Sequence, residues 1–156
     1  EKACNKLVGE LCDYGYTIVS GLARGIDGIA FKEALKKEGK TIGVVAHGLD
    51  IIYPKSNAQL YDEVLSNGGL IISEFPDNIE PTQDKFNTRN RIVAAIGQKV
   101  LVIEAHEKSG TMLTVNHALA QGKNIYCVPD NIFMSSWCNK LIKEGATLVE
   151  GIDDIQ

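Results

Sequence analysis

Lys85-Phe86-Asn87-Thr88-Arg89-Asn90-Arg91 gathers three cations and one aromatic ring within seven residues. The chain around it is acidic: 16 Lys and Arg against 20 Asp and Glu give a net charge of −4. The cluster follows the apolar run Leu70-Ile71-Ile72-Ser73, then Glu74-Phe75-Pro76 and a further stretch of about ten residues; a structureless segment that long in a compact domain is usually functional. Ile92, Val93 and Ile96 predict a helix over residues 88–97. Arg89 and Arg91 then fall near its N-terminus, where each cation opposes the helix dipole by roughly a few tenths of a kcal/mol. Helix stability therefore does not explain them. They either meet an external anion, the preferred reading, or pair internally with Glu74 or Glu104, which also sit at strand ends.

Three further strand-to-helix loops carry residues of interest. Ser20-Gly21-Leu22-Ala23-Arg24-Gly25-Ile26-Asp27 follows one strand and opens a helix. Backbone amides near Gly21 and Gly25 can meet a phosphate, with Arg24 as a charged donor. The alternative is a tight turn whose glycines only satisfy backbone angles. Lys108-Ser109-Gly110-Thr111 again follows a strand and opens a helix: Ser109 or Thr111 caps that helix, or the free amides and Lys108 seat a phosphate. In Ala46-His47-Gly48-Leu49-Asp50, with Tyr53-Pro54 and Asn57 beyond it, Tyr53 is a stacking platform or, more commonly, a partly buried packing residue.

Catalytic constellations are weak. His47, His106 and His117 lack metal-ligand spacing, and neither a GxSxG elbow nor a GxxxxGK[ST] loop is present. Glu74 and Glu104 are better placed to orient arginines than to act as an acid–base pair.

These loops need a scaffold. Helical spacing marks residues 2–13, 26–38, 57–66, 88–97, 110–121 and 137–144. Short apolar runs mark strands at 16–20, 41–45, 70–73, 100–103 and 124–128, with a short one at 147–149. Strands that are apolar without alternation are covered on both faces. The alternation predicts a three-layer, doubly wound α/β fold with a mainly parallel sheet, whose ligands bind at the C-terminal ends of the strands. The chain opens in a helix where such a domain normally opens in a strand, so a first strand is expected upstream of Glu1, making the chain a fragment of a longer protein.

A length of 156 residues fits a single domain spanning 1–156. Hydrophobic content of 44% and charged content of 23% argue against disorder. No apolar run approaches the roughly 20 residues of a membrane span. Cys4, Cys12, Cys127 and Cys138 show no CxxC spacing, which predicts buried thiols in a reducing cytoplasm rather than a metal site. Bulk charge excludes non-specific coating of nucleic acid, so any such role rests on a local patch.

SGLARGID at 20–27, Gly48-Leu49-Asp50 with Tyr53-Pro54, Ser73-Glu74-Phe75-Pro76, Phe86 with Arg89-Asn90-Arg91, and Ser109-Gly110-Thr111 with Thr114 occur in this order. Together they resemble the Rossmann-like domain of the bacterial DNA-processing protein A family, also called DprA or Smf, over about residues 7–149. The resemblance implies a single-stranded DNA-binding protein of natural transformation, without enzymatic activity or cofactor. Such a protein protects incoming strands, loads a RecA-type recombinase and forms a homodimer. Carried over by motif, the DNA-contacting positions are Gly21, Arg24, Gly25, Lys85, Phe86, Arg89, Asn90, Arg91, Lys108, Ser109, Gly110 and Thr111.

Three departures stand out. The family's first strand and its Gly-Ser/Thr-Arg turn would precede Glu1. Asp130 follows Pro129 where the family has Val-Pro-Gly. A Ser, Gly, Asn pattern appears as Ser135, Trp137 and Asn139, which puts the C-terminal loop and the dimer surface in doubt. The alternative is a nucleotide-binding sensor or a phosphoribohydrolase-like enzyme on a related fold. The glutamate of the phosphoribohydrolase PGGxGTxxE string is absent here, with Leu113 and Thr114 in its place, and glycosidic cleavage needs a carboxylate near the sugar.

Overall fold

The computed structural model describes residues 1–133 and 137–155. Among them, helix and strand alternate: α1 (Lys2–Asp13), β1 (Ile18–Ser20), α2 (Ile26–Lys36), β2 (Thr41–Val45), α3 (Ala58–Ser66), β3 (Leu70–Ser73), α4 (Gln83–Ile96), β4 (Val100–Val102), α5 (Gly110–Ala120), β5 (Ile125–Cys127), α6 (Trp137–Lys143) and β6 (Thr147–Leu148). The pairings β1–β2, β2–β3, β4–β5 and β5–β6 are all parallel. Parallel neighbours need long crossovers, which the helices supply. The α/β class expected from the alternation is therefore the one observed. The chain divides into two compact units, Glu1–Arg89 and Asn90–Gln156, and the division falls inside α4.

In the amino-terminal unit the sheet runs β1-β2-β3. Its core is Leu22, Phe31, Val45, Leu60, Tyr61 and Val64. α1 buries Cys4, Leu7, Val8 and Leu11, the i, i+3, i+4, i+7 stripe of an amphipathic helix. Leu22 is fully buried although its backbone is left-handed, at φ 54°. Gly43 makes room for it: a Cβ at position 43 would fall 2.5 Å from Leu22 Cδ1.

The long loop after β3 is not loose. Ser73 Oγ donates to His47 O at 2.6 Å and accepts from Phe75 N at 3.0 Å. Gly48 N donates to Ile79 O, and Asn78 N donates to the Asp50 carboxylate at 2.9 and 3.1 Å. The 46–50 loop thus pins the 74–82 loop at several points.

In the carboxy-terminal unit the sheet runs β4-β5-β6 over a core that includes Ala94, Val102, Val115, Ile125, Cys127 and Leu141. Lys123 Nζ donates to the carbonyls of Ala94, Ala95 and Gly97 at 2.5, 2.7 and 2.7 Å. A cation here satisfies the orphan carbonyls at the α4 C-terminus and complements its dipole. Trp137 opens α6 and packs on the core, with Lys140 Nζ 3.8 Å from its ring centroid. Asn139 clamps the turn after β5, accepting from Asp130 N at 3.0 Å and donating to Asp130 O at 2.8 Å. Both family departures in this region are therefore accommodated by local contacts; Ser135 lies outside the described residues. All four cysteines are free thiols, and Cys4, Cys127 and Cys138 are buried. No described helix is long and apolar enough to cross a membrane.

One boundary differs in a way that matters. α4 begins at Gln83, not near residue 88. Its first turns are polar and largely exposed, with Gln83 bonded to Asn87 and Thr88 to the Asp84 carbonyl. Apolar periodicity signals a helix only where a face is buried, so these turns left no such mark. Arg89 and Arg91 accordingly lie well inside the helix, and the dipole argument does not apply to them.

Burial pushes the Tyr61 hydroxyl up from 10.0 to about 12 and the Cys4 thiol up from 9.0 to about 11. Both groups keep their protons in the fold after the unfolded chain has begun to lose them. Their stabilisation is full below about pH 9 and disappears as pH rises through the folded values near 11 and 12. Urea midpoints should fall across that window, and Tyr61→Phe should flatten the upper part of the decline.

Candidate nucleic-acid interface

Arg89 is 4% exposed. Its Nη1 donates to Gly21 O at 2.9 Å and also to Val44 O. One guanidinium thereby joins the loop after β1 to the end of β2. Burial lowers its proton affinity, and the Asp27 carboxylate opposes that shift. Gly21 is required by this approach: a Cβ there would fall 2.6 Å from Arg89 Cζ, Nη1 and Nη2. The expectation of an external anion on Arg89 is corrected here. The side chain is directed into the amino-terminal unit, because the loop presents carbonyls that a buried cationic fork can satisfy.

The loop after β1 is occupied in the same way. The Asp27 carboxylate, in the first turn of α2, accepts from Gly21 N and Ala23 N at 3.2 Å each. Asn57 Nδ2 donates to Leu22 O at 3.0 Å and to Ala23 O at 3.3 Å. The amides of Gly21 and Ala23, read from sequence as a phosphate seat, are thus spent on Asp27. Arg24 and Gly25 remain exposed beyond them, with Gly25 at φ 86° as the N-cap of α2.

Tyr53, Phe86, His47 and Tyr61 form an aromatic group in this unit. Tyr53 and Phe86 have ring centroids 5.7 Å apart at a 40° tilt, and Arg89 Cζ lies 5.7 Å over the Phe86 ring. Tyr61 Oη donates to Tyr53 O at 2.8 Å and lies 3.3 Å from His47 Nε2, while His47 Nδ1 faces Gly48 O at 2.9 Å. Tyr61 and His47 are buried, Phe86 is half-buried, and Tyr53 is 45% exposed. Lys85 reaches Thr82 Oγ1 at 3.3 Å. Lys55, an exposed cation just after Pro54, was not singled out from sequence, because a lone lysine in a turn carries no pattern. Arg24, Lys55, Lys85 and Lys108 make no ion pair among the described residues.

In the carboxy-terminal unit, Asn90 is 8% exposed and its Nδ2 donates to Gly110 O at 3.2 Å, tying α4 to the start of α5. Asn90 is thus a positioning residue, whereas Arg91 one step along is exposed. Ser109 is the N-cap of α5, but its side chain does not cap the helix: Oγ donates instead to His106 O at 2.8 Å. With no side-chain cap, the first-turn amides at Gly110 and Thr111 keep their donor character. Lys108 is exposed beside them, while Glu104, in contact with His106 at 3.0 Å, and Glu107 add negative charge to the same loop.

A family profile described as DNA recombination-mediator protein A matches residues 1–156. The chain belongs to the DNA recombination-mediator protein A family. It is 38% identical to DNA processing protein DprA of Bacillus subtilis over 157 aligned positions, covering 99% of this chain and 52% of that protein. The chain thus spans about half the length of that curated relative. The solved structure of DNA processing protein A from Streptococcus pneumoniae superposes with a TM-score of 0.91 at 37% identity, covering 99% of this chain and 54% of that one. That of the single-stranded-DNA-binding DNA processing protein A from Helicobacter pylori gives 0.90 at 34%, covering 99% and 70%. The recombination-mediator fold is therefore shared across nearly the whole of this chain.

Two outcomes follow for this family member. Arg89→Met should cost about 2–5 kcal/mol of unfolding free energy by leaving buried carbonyls unpaired, read as a fall in the urea midpoint. Gly21→Ala should cost about 1–3 kcal/mol through collision with the guanidinium. An unchanged midpoint in Arg89→Met would refute the structural role given to that arginine.

Proposed function

We propose that this chain is a single-stranded DNA-binding module of DNA processing. The observation that carries this reading is the whole-chain likeness, in sequence and in fold, to a relative that binds single-stranded DNA. The local chemistry supports it. Each unit offers solvent-accessible cations: exposed Arg24 and Lys55 with partly exposed Lys85 in the amino-terminal unit, exposed Arg91 and Lys108 in the carboxy-terminal one. The uncapped start of α5, at Ser109, Gly110 and Thr111, adds backbone donors suited to phosphate. Arg89, Asn90 and Gly21 serve the interface indirectly, by holding the loops that carry these groups. Binding is stoichiometric and no bond is made or broken. The wider role proposed is protection of incoming strands in natural transformation, loading of a RecA-type recombinase and action as a homodimer in the cytoplasm.

Fluorescence anisotropy with labelled oligo-dT, at several salt concentrations and with duplex as competitor, tests the reading. The single strand should bind in preference to duplex. Log K should fall with log salt at about −0.7 per phosphate contacted. Arg24→Ala and Lys108→Ala should each weaken binding about three- to tenfold and each make that slope shallower by about 0.7, with the urea midpoint unchanged. Saturation by one mononucleotide per site, with no affinity for oligo-dT, would turn the assignment to nucleotide sensing.

A further inference from the structure

Phe86, carried over by motif as a DNA-contacting position, is half-buried, with Arg89 over its ring and Tyr53 against it. Tyr53 is the ring left facing solvent. It touches Phe86 at 5.7 Å and His47 edge-on at 6.4 Å, and is still 45% exposed. We propose that Tyr53 is the base-stacking residue of the amino-terminal unit and that Phe86 is its support, the occupant being an unpaired nucleobase of single-stranded DNA. The proposal rests on the single-stranded DNA reading above and names the residue that meets the base.

Three observations carry it. First, the platform is pre-organised. Tyr61 Oη holds the Tyr53 carbonyl at 2.8 Å, and Tyr61 is itself buried in the core beside His47. A ring carried on a held backbone and packed against two others loses less freedom on binding than a free one. Second, the rings stand too close for a base to enter between them. A stacked base needs about 3.4 Å on each side, so a centroid separation of 5.7 Å leaves no room for one between the rings, while the 45% exposure of Tyr53 leaves it accessible from solvent. Third, the surroundings suit a nucleotide better than an apolar partner. Lys55 lies two residues beyond Tyr53 and Lys85 is next to Phe86, so both rings have a cation close in sequence for the flanking phosphates. Base stacking tolerates any sequence because every base has a π-face.

The test uses the full chain and two oligonucleotides of equal length, one of normal bases and one of abasic spacers. Tyr53→Ala should weaken binding to the normal strand about tenfold, the size expected of one stacked base. Tyr53→Phe, which keeps the ring, should restore it. On the abasic strand, wild type and Tyr53→Ala should bind alike. A 2-aminopurine probe in the normal strand should be quenched by wild type and less so by Tyr53→Ala. Equal loss on both strands would overturn the proposal, since Tyr53 would then act by shaping the loop. No loss on either strand would overturn it too, while leaving the single-stranded DNA reading standing. Absence of binding to both strands by wild type would overturn the ledge and the parent reading together.

Discussion

A single buried cation organises the amino-terminal unit. Arg89 reaches back from α4 and satisfies the carbonyls of Gly21 and Val44, which belong to a loop and a strand far from it in sequence. Such a guanidinium tolerates burial only with hydrogen-bonding partners, and in turn its removal leaves their oxygens orphaned. The consequences spread outward from this contact. Gly21 cannot carry a side chain. Asp27 gathers the loop's amides and supplies the nearest negative charge. Phe86 lies under the same guanidinium and carries Tyr53. A residue that looks like a ligand contact in sequence is thus a support for the loop after β1 and the end of β2.

The two loops beyond β2 and β3 show a related economy. Asp50, Gly48, His47 and Ser73 use backbone and side-chain bonds to fasten the 74–82 segment. Length alone marked this segment as functional; the bonding shows that it is also fastened. In the carboxy-terminal unit, Lys123 and Asn139 do similar work at the end of α4 and after β5. Gly48, Asp50, Ser73 and Asn139 belong to the motifs quoted above, yet what they fasten is not written in those motifs, because each acts on a backbone carbonyl or amide elsewhere in the chain.

The distribution of cations then has a simple logic. An acidic chain does not attract nucleic acid by bulk charge, so its cations must be placed. Arg89 and Lys123 are consumed by carbonyls. Arg24, Lys55, Lys85 and Lys108 stand without ion-pair partners among the described residues. The two populations differ in what the fold asks of them: one is tied to backbone carbonyls, the other is not tied to any carboxylate among the described residues.

Local pattern was enough to determine the α/β class, the parallel pairing and the order of elements. Apolar runs at strand length and apolar stripes at helical spacing report burial, which most of these elements share, β6 being exposed. The same signal failed at the first turns of α4, where no residue is fully buried and Phe86 is the one apolar side chain. It located the loops that carry Arg24 and Lys108 and the cationic string that holds Lys85 and Arg91, and through SGLARGID and the Arg89-Asn90-Arg91 string it pointed to the family. Only the tertiary structure decided which arginine faces inward, which amides are already taken by Asp27, and which of two neighbouring rings meets solvent. Those outcomes depend on distances between residues far apart in the chain, such as Arg89 to Gly21 and Phe86 to Tyr53, and periodicity along the sequence carries no record of them.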